Sequence, residues 1–158
     1  ELLGEAIARD ALNALRFDNA TKGDVLTLIR SHMFDLEGKA KPTTIRRRAI
    51  KLGRKNFERL IALRRADFIG SGRITGAVES ADRWQKELDR MVAQGVPWSV
   101  GDLEVTGGDV MRELNLPPSP EIGRVLQALH RDCVVHPALN RRDALLARLR
   151  SMRGKILP

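Results

Sequence analysis

The chain has 158 residues and a formal charge of +8 at neutral pH, with 42% hydrophobic and 30% charged residues. That balance excludes a largely disordered chain, and no apolar run approaches the length of a membrane span. Aromatic residues make up 4% and tyrosine is absent, so the core must be built from Leu, Ile, Val, Ala and Met, which favours an all-α fold over sheets.

Taken in chain order, Leu3, Ile7, Ala11, Ala14 and Leu15 recur at helical spacing and predict a first helix of roughly four turns. "DNATKGDVLTLIRSHMFD" predicts a second, with Thr21 and Asp24 as a capping box and Val25, Leu28, Ile29, His32 and Met33 on one face. "PTTIRRRAIKLG" is a short third helix, started by Pro42 or Thr43 and stopped by Gly53. "RKNFERLIALRRADFIGSG" is a fourth, with Phe57, Leu60, Ile61, Arg64 and Phe68 along one side. The glycine-rich "GSGRITGA" lacks apolar periodicity and is the best linker. A fifth helix, "VESADRWQKELDRMVAQG", lines up Trp84, Leu88, Met91 and Val92 and ends at Gly95. "WSVGDLEV" reads as extended or loop, and three helices follow: Gly108–Leu114, Glu121–Val135 and Arg141–Arg153. The expected division is a helical body over 1–72, a linker and connecting helix over 73–96, and a helical tail over 97–158.

Positive charge is local. Lys41, Arg46, Arg47, Arg48, Lys51, Arg54, Lys55, Arg59, Arg64, Arg65 and Arg73 face only Glu58 and Asp67 in the same stretch, a local excess of +9. Such an excess is the footprint expected for a polyanionic partner. Arg46, Arg47 and Arg48 are consecutive, so they fan around about 200° of helix and cannot all point one way. Arg47 and Lys51, four apart, repel each other slightly unless an anion lies between them. Nearby aromatics are Phe57 and Phe68, both at core positions, so phosphate and shape recognition is favoured over base reading.

Pro117 and Pro118 stop one helix in "NLPPSPEIGRVL". Ser119 is placed to cap the next, with Pro120 at its first position. The free N–H groups of that helix start attract anions, and Arg124 adds charge beside them, although Glu121 already complements the dipole. His130, Cys133 and His136 are three apart but lack a fourth ligand for a closed zinc site. Packing is the better reading for His130 and Cys133. The single cysteine leaves no partner for an intrachain disulfide and fits a reducing, cytoplasmic setting. Glu1 falls within a helical pattern, and the chain reads as a piece of something longer.

Asp102-Leu103, Gly108-Asp109, a leucine-bearing helix, Pro118-Ser119-Pro120, Ile122-Gly123, Asn140 and Leu145-Leu146 occur in that order. This pattern resembles the tail of bacterial tRNA nucleotidyltransferases, the CCA-adding enzymes, and of related poly(A) polymerases, with Ser119 where the family carries Gly. "LIRSHMFDLEGK" and "TIRRRAIKLGRKNFERLIALRRADFIGSG" are similar to the HD-like helical region that precedes this tail. The resemblance implies a helical body and tail that hold tRNA by shape and backbone. It implies that nucleotide addition, with Mg²⁺ and CTP or ATP, takes place in a separate N-terminal head. The head's Gly-Ser and Asp-x-Asp signature is not in this sequence, so no catalytic or metal-binding residue is assigned here and the chain alone is expected to be inactive. Phosphate contacts are expected from Arg46, Arg47, Arg48, Lys51 and Arg54 in the body, and from Arg124, Arg141 and Arg142 in the tail. The alternative is a fragment of a metal-dependent HD-type phosphohydrolase, with Asp67 and His32 near its metal positions.

Overall fold

The computed structural model describes residues 2–71 and 79–156. Among them every regular element is helical: α1 (Leu2–Ala14), α2 (Asn19–Ser31), α3 (Pro42–Leu52), α4 (Arg54–Gly70), α5 (Glu79–Ala93), α6 (Gly107–Leu114), α7 (Pro120–Val135) and α8 (Arg142–Ile156). Short 3₁₀ turns cover Val100–Asp102 and Pro137–Leu139. The chain divides into two units, Glu1–Asp89 and Arg90–Pro158. Most of the predicted glycine-rich linker lies outside the described residues.

In the first unit, α1 packs on α2, α2 on α4, and α3 on α4. The α3 boundaries follow from local chemistry. Pro42 sits at the first helical turn, where a missing N–H is harmless, and Gly53 ends the helix at φ +76°, a conformation that glycine tolerates. The core holds Leu26, Ile45, Ala49, Phe57, Leu60, Ile61 and Trp84, all buried. Trp84 is central: the rings of Phe34 and Phe57 stand 5.3 and 6.3 Å from it, and its indole N–H donates to the Asp35 carboxylate at 2.9 Å. Asp35, at φ +53°, also accepts the Ala40 N–H at 2.8 Å, which ties down the loop leading into α3.

One local expectation fails here, and the direction of one helix face, which spacing left open, is decided. The cap of α2 is Asp18, whose carboxylate accepts the Thr21 N–H at 2.9 Å, so the helix starts nearly a turn earlier than the Thr21 cap predicts. The apolar stripe of α1 faces outward, with Leu3, Ile7 and Leu15 exposed to 75, 63 and 71%. Its inward position is Glu5, which pairs with Arg9 at 2.5 Å and with Arg30 of α2 at 2.7 Å. Periodicity identifies a face, but it does not say which neighbour covers that face.

In the second unit, α6 packs against α7 and α8 over a core of Leu103, Val105, Val110, Leu114, Val125, Leu129, Cys133, Leu145 and Leu149. Thr106 and Asp109 form a reciprocal capping box at the start of α6. The glycine pair therefore opens the helix rather than forming a flexible turn before it. A Cβ at Gly107 would meet Cγ2 of Ile122 at 3.3 Å, so glycine permits the close approach of α6 to α7. Asn115 ends α6 in the left-handed conformation. Pro120 occupies the first turn of α7 as predicted, while Ser119 sits at the cap position without a side-chain capping bond. Asn140 holds the 3₁₀ region, donating to the Asp102 carbonyl at 2.9 Å and accepting from the Glu104 N–H at 3.1 Å. In α5, Trp84, Leu88 and Met91 are buried, but Val92 is half-exposed.

Candidate nucleic-acid interface

The three consecutive arginines of α3 separate as helix geometry requires. Arg46 turns inward. Its Nε donates to Glu87 of α5 at 2.5 Å, and the two side chains are only 10% and 3% exposed. Arg47 points to solvent together with Lys51 one turn on. Neither has an ion-pair partner among the described residues, so this ridge carries two uncompensated charges. Arg48 takes the third direction, and its guanidinium lies over the ring of Phe34 at 4.7 Å. Arg54, past the α3–α4 break, is exposed and pairs with Glu58 on its own helix at 2.9 Å.

Further along α4, Arg59 and Lys55 face Asp24 of α2, whose pKa is lowered by the hydrogen bonds from Asn56 and Arg59. Arg65 reaches Asp82 at 3.2 Å. Arg64 donates to Ser80 and to the Leu36 carbonyl, both at 3.2 Å. The basic stretch is thus sorted: most α4 arginines tie helices together, and Arg47 and Lys51 of α3 do not.

In the second unit, Arg142 donates to both carboxylate oxygens of Asp109, at 2.6 and 3.2 Å, and to the Glu104 carbonyl. Arg112 adds a contact at 2.6 Å. The Asp109 side chain is 3% exposed, and Arg142 first, then the Thr106 N–H, hold its carboxyl far below the ordinary carboxylate range. Arg124 pairs with Glu121 at 2.8 Å across the first turn of α7, which leaves that helix start with its own carboxylate. Arg148 meets Asp132 at 3.2 Å and Arg150 meets Glu113 at 2.9 Å. Arg141 is exposed and has no acidic partner among the described residues.

The catalytic alternatives find little. His130 is buried against the Pro97 carbonyl at 3.0 Å. Burial first, with Asp132 second, pushes the Cys133 thiol up to about 11, so it stays protonated and poorly nucleophilic near neutral pH. Nδ1 of His32 engages the Ile29 carbonyl at 2.5 Å, and Asp67 is exposed beside Arg64. Among the described residues no three His, Cys, Asp or Glu side chains gather as a metal site. None of the described helices is long and apolar enough to cross a membrane.

Sequence reasoning missed Phe34, brought under Arg48 by the loop before α3, and Glu87, which sets the rotation of α3. Both lie far along the chain from their partners and leave no local mark. Sequence reasoning also missed the Thr106–Asp109 box, although Thr-x-x-Asp before an apolar run is a local mark of a helix start.

These features define a class: an all-helical chain with a local ridge of unpaired positive charge. Sequence comparison supplies the family. A family model described as tRNA nucleotidyltransferase domain 2 matches residues 2–149, and the chain belongs to that family. No match was found among curated proteins, and none among solved structures.

Proposed function

We propose that the chain is the C-terminal, RNA-binding part of a cytoplasmic tRNA nucleotidyltransferase, CCA-adding or of the related poly(A) polymerase type. It holds tRNA by its backbone while a separate N-terminal head adds nucleotides. The observation that carries this reading is the Arg47–Lys51 ridge, two exposed cations one turn apart with no acid to neutralise them. A pair of like charges destabilises a helix slightly, and a phosphate chain lying along it removes the repulsion.

Arg47, Lys51 and Arg48 make the body contacts in this reading, and Arg141 the tail contact. Arg54 and Arg124 are exposed but paired within their own helices, so they contribute only by exchanging a carboxylate for a phosphate. Arg46 and Arg142 are engaged by Glu87 and Asp109 and act as structural residues. Mg²⁺ and CTP or ATP belong to the head. Among the described residues no group of three or more His, Cys, Asp or Glu side chains gathers to hold the metal.

Titration of tRNA binding against salt tests the reading. Affinity should fall steeply with salt, and Arg47→Glu with Lys51→Glu should weaken binding by tenfold or more. Affinity flat in salt, or unchanged by the double reversal, contradicts it.

A further inference from the structure

Phosphate contacts alone leave Arg48 unexplained. Its guanidinium is stacked at 4.7 Å over Phe34 rather than paired with a carboxylate. Its Nε is buried with no hydrogen-bond partner, yet the residue as a whole remains partly exposed. The support beneath it is stiff. Phe34 packs on Trp84 at 5.3 Å, Trp84 is fully buried, and the Asp35 carboxylate holds the indole N–H at 2.9 Å. The backbone beside Phe34 is fixed as well, because the same carboxylate accepts the Ala40 N–H at 2.8 Å. Around α3, Arg48 follows Lys51 and Thr44 on the side away from Arg46, so this flat cation borders the Arg47–Lys51 ridge.

We infer that Arg48, backed by Phe34 and Trp84, is a stacking platform for an unpaired nucleobase of the RNA whose backbone follows the Arg47–Lys51 ridge. Guanidinium planes stack on aromatic faces and are weakly hydrated, so one face covered by Phe34 leaves the group suited to a second π system. Bases splayed from loops and single strands are taken in this way, whereas bases stacked inside a duplex are not available. The platform accepts any base, because it offers a face and no defined hydrogen-bond pattern. The inference rests on RNA being the ligand, and it narrows the ligand to RNA with at least one unstacked base beside its phosphate path.

The test compares Arg48→Lys with Arg150→Lys, a surface arginine outside the proposed contacts; both keep the charge. Binding of a stem–loop RNA and of a continuous duplex with the same stem is measured against salt. Arg48→Lys should bind the stem–loop roughly tenfold more weakly, with an unchanged salt slope and unchanged affinity for the duplex. Arg150→Lys should alter neither by more than about twofold, because Arg150 is engaged by Glu113. Phe34→Leu, which keeps an apolar side chain but removes the ring beneath Arg48, should reproduce the stem–loop-specific loss. Equal losses on both RNAs, or no loss on the stem–loop, overturns the platform while leaving the phosphate ridge standing. A wild-type chain that binds neither RNA overturns both.

Discussion

The exposed face of α3 and five arginines of the second unit treat charge differently, while Arg141 of the second unit shares the unpaired state of α3. In Arg90–Pro158, Arg112, Arg124, Arg142, Arg148 and Arg150 each meet a carboxylate at 3.2 Å or less. On α3 of the first unit, Arg46 meets Glu87, while Arg47 and Lys51 meet nothing acidic among the described residues. Net charge therefore says little about which cations can hold an anion. A paired arginine must break one interaction to make another, whereas an unpaired one gains without loss. By that measure the α3 ridge is open to a polyanion in a way that the paired arginines are not.

The sharpest way to break this comparison is to remove one partner of the buried pair in the first unit. Glu87→Ala leaves the Arg46 guanidinium in a nearly dry site and should destabilise that unit by about 3–5 kcal/mol, read by denaturant unfolding. Replacing both, Arg46→Met with Glu87→Leu, should recover most of that loss, since a matched apolar pair needs no charge compensation. RNA affinity of the double variant should match the wild type. If it does not, Arg46 is a contact after all.

Asp109 gives the next largest effect. Asp109→Asn removes the charge that Arg142 and Arg112 share and weakens the cap of α6, and should lower stability of the second unit by about 2 kcal/mol. The sign of its pH dependence follows from its depressed pKa. The stabilisation is complete above the ordinary value of 3.8 and is lost only as pH falls below that value toward the lowered one. Acid unfolding of the wild type should therefore show a component below about pH 4 that Asp109→Asn lacks. At the small end, Arg124→Ala breaks a surface pair with Glu121 and should change stability by no more than about 0.5 kcal/mol. A larger change would mean that the pair organises the start of α7.

Much of the fold was legible because its signals are local. Pro42 and Gly53 bracket α3, Pro120 starts α7, and Gly95 follows α5 at φ +61°. What the sequence could not specify was direction. The stripe Leu3, Ile7 and Leu15 has helical spacing whichever way it faces. The run Arg46–Arg48 must fan, but only Glu87, 41 residues away from Arg46, decides which member turns inward. Arg142 looked like a free tail cation until Asp109, 33 residues earlier, was found within its reach. The capping error at α2 is different in kind. Asp18 and Thr21 both suit a cap, and tertiary packing did not enter; Asp18 is simply the acceptor three residues before an available N–H.

The central claim is that unpaired cations, not arginines in general, carry the RNA affinity. Salt titration of tRNA binding by two variants that each remove two positive charges tests it most directly. Arg47→Ala with Lys51→Ala should lower the magnitude of the slope of log affinity against log salt by about 1.5–2, while Arg124→Ala with Arg150→Ala should leave it nearly unchanged. Equal loss of slope in the two variants would contradict the claim, because paired and unpaired arginines would then be equivalent.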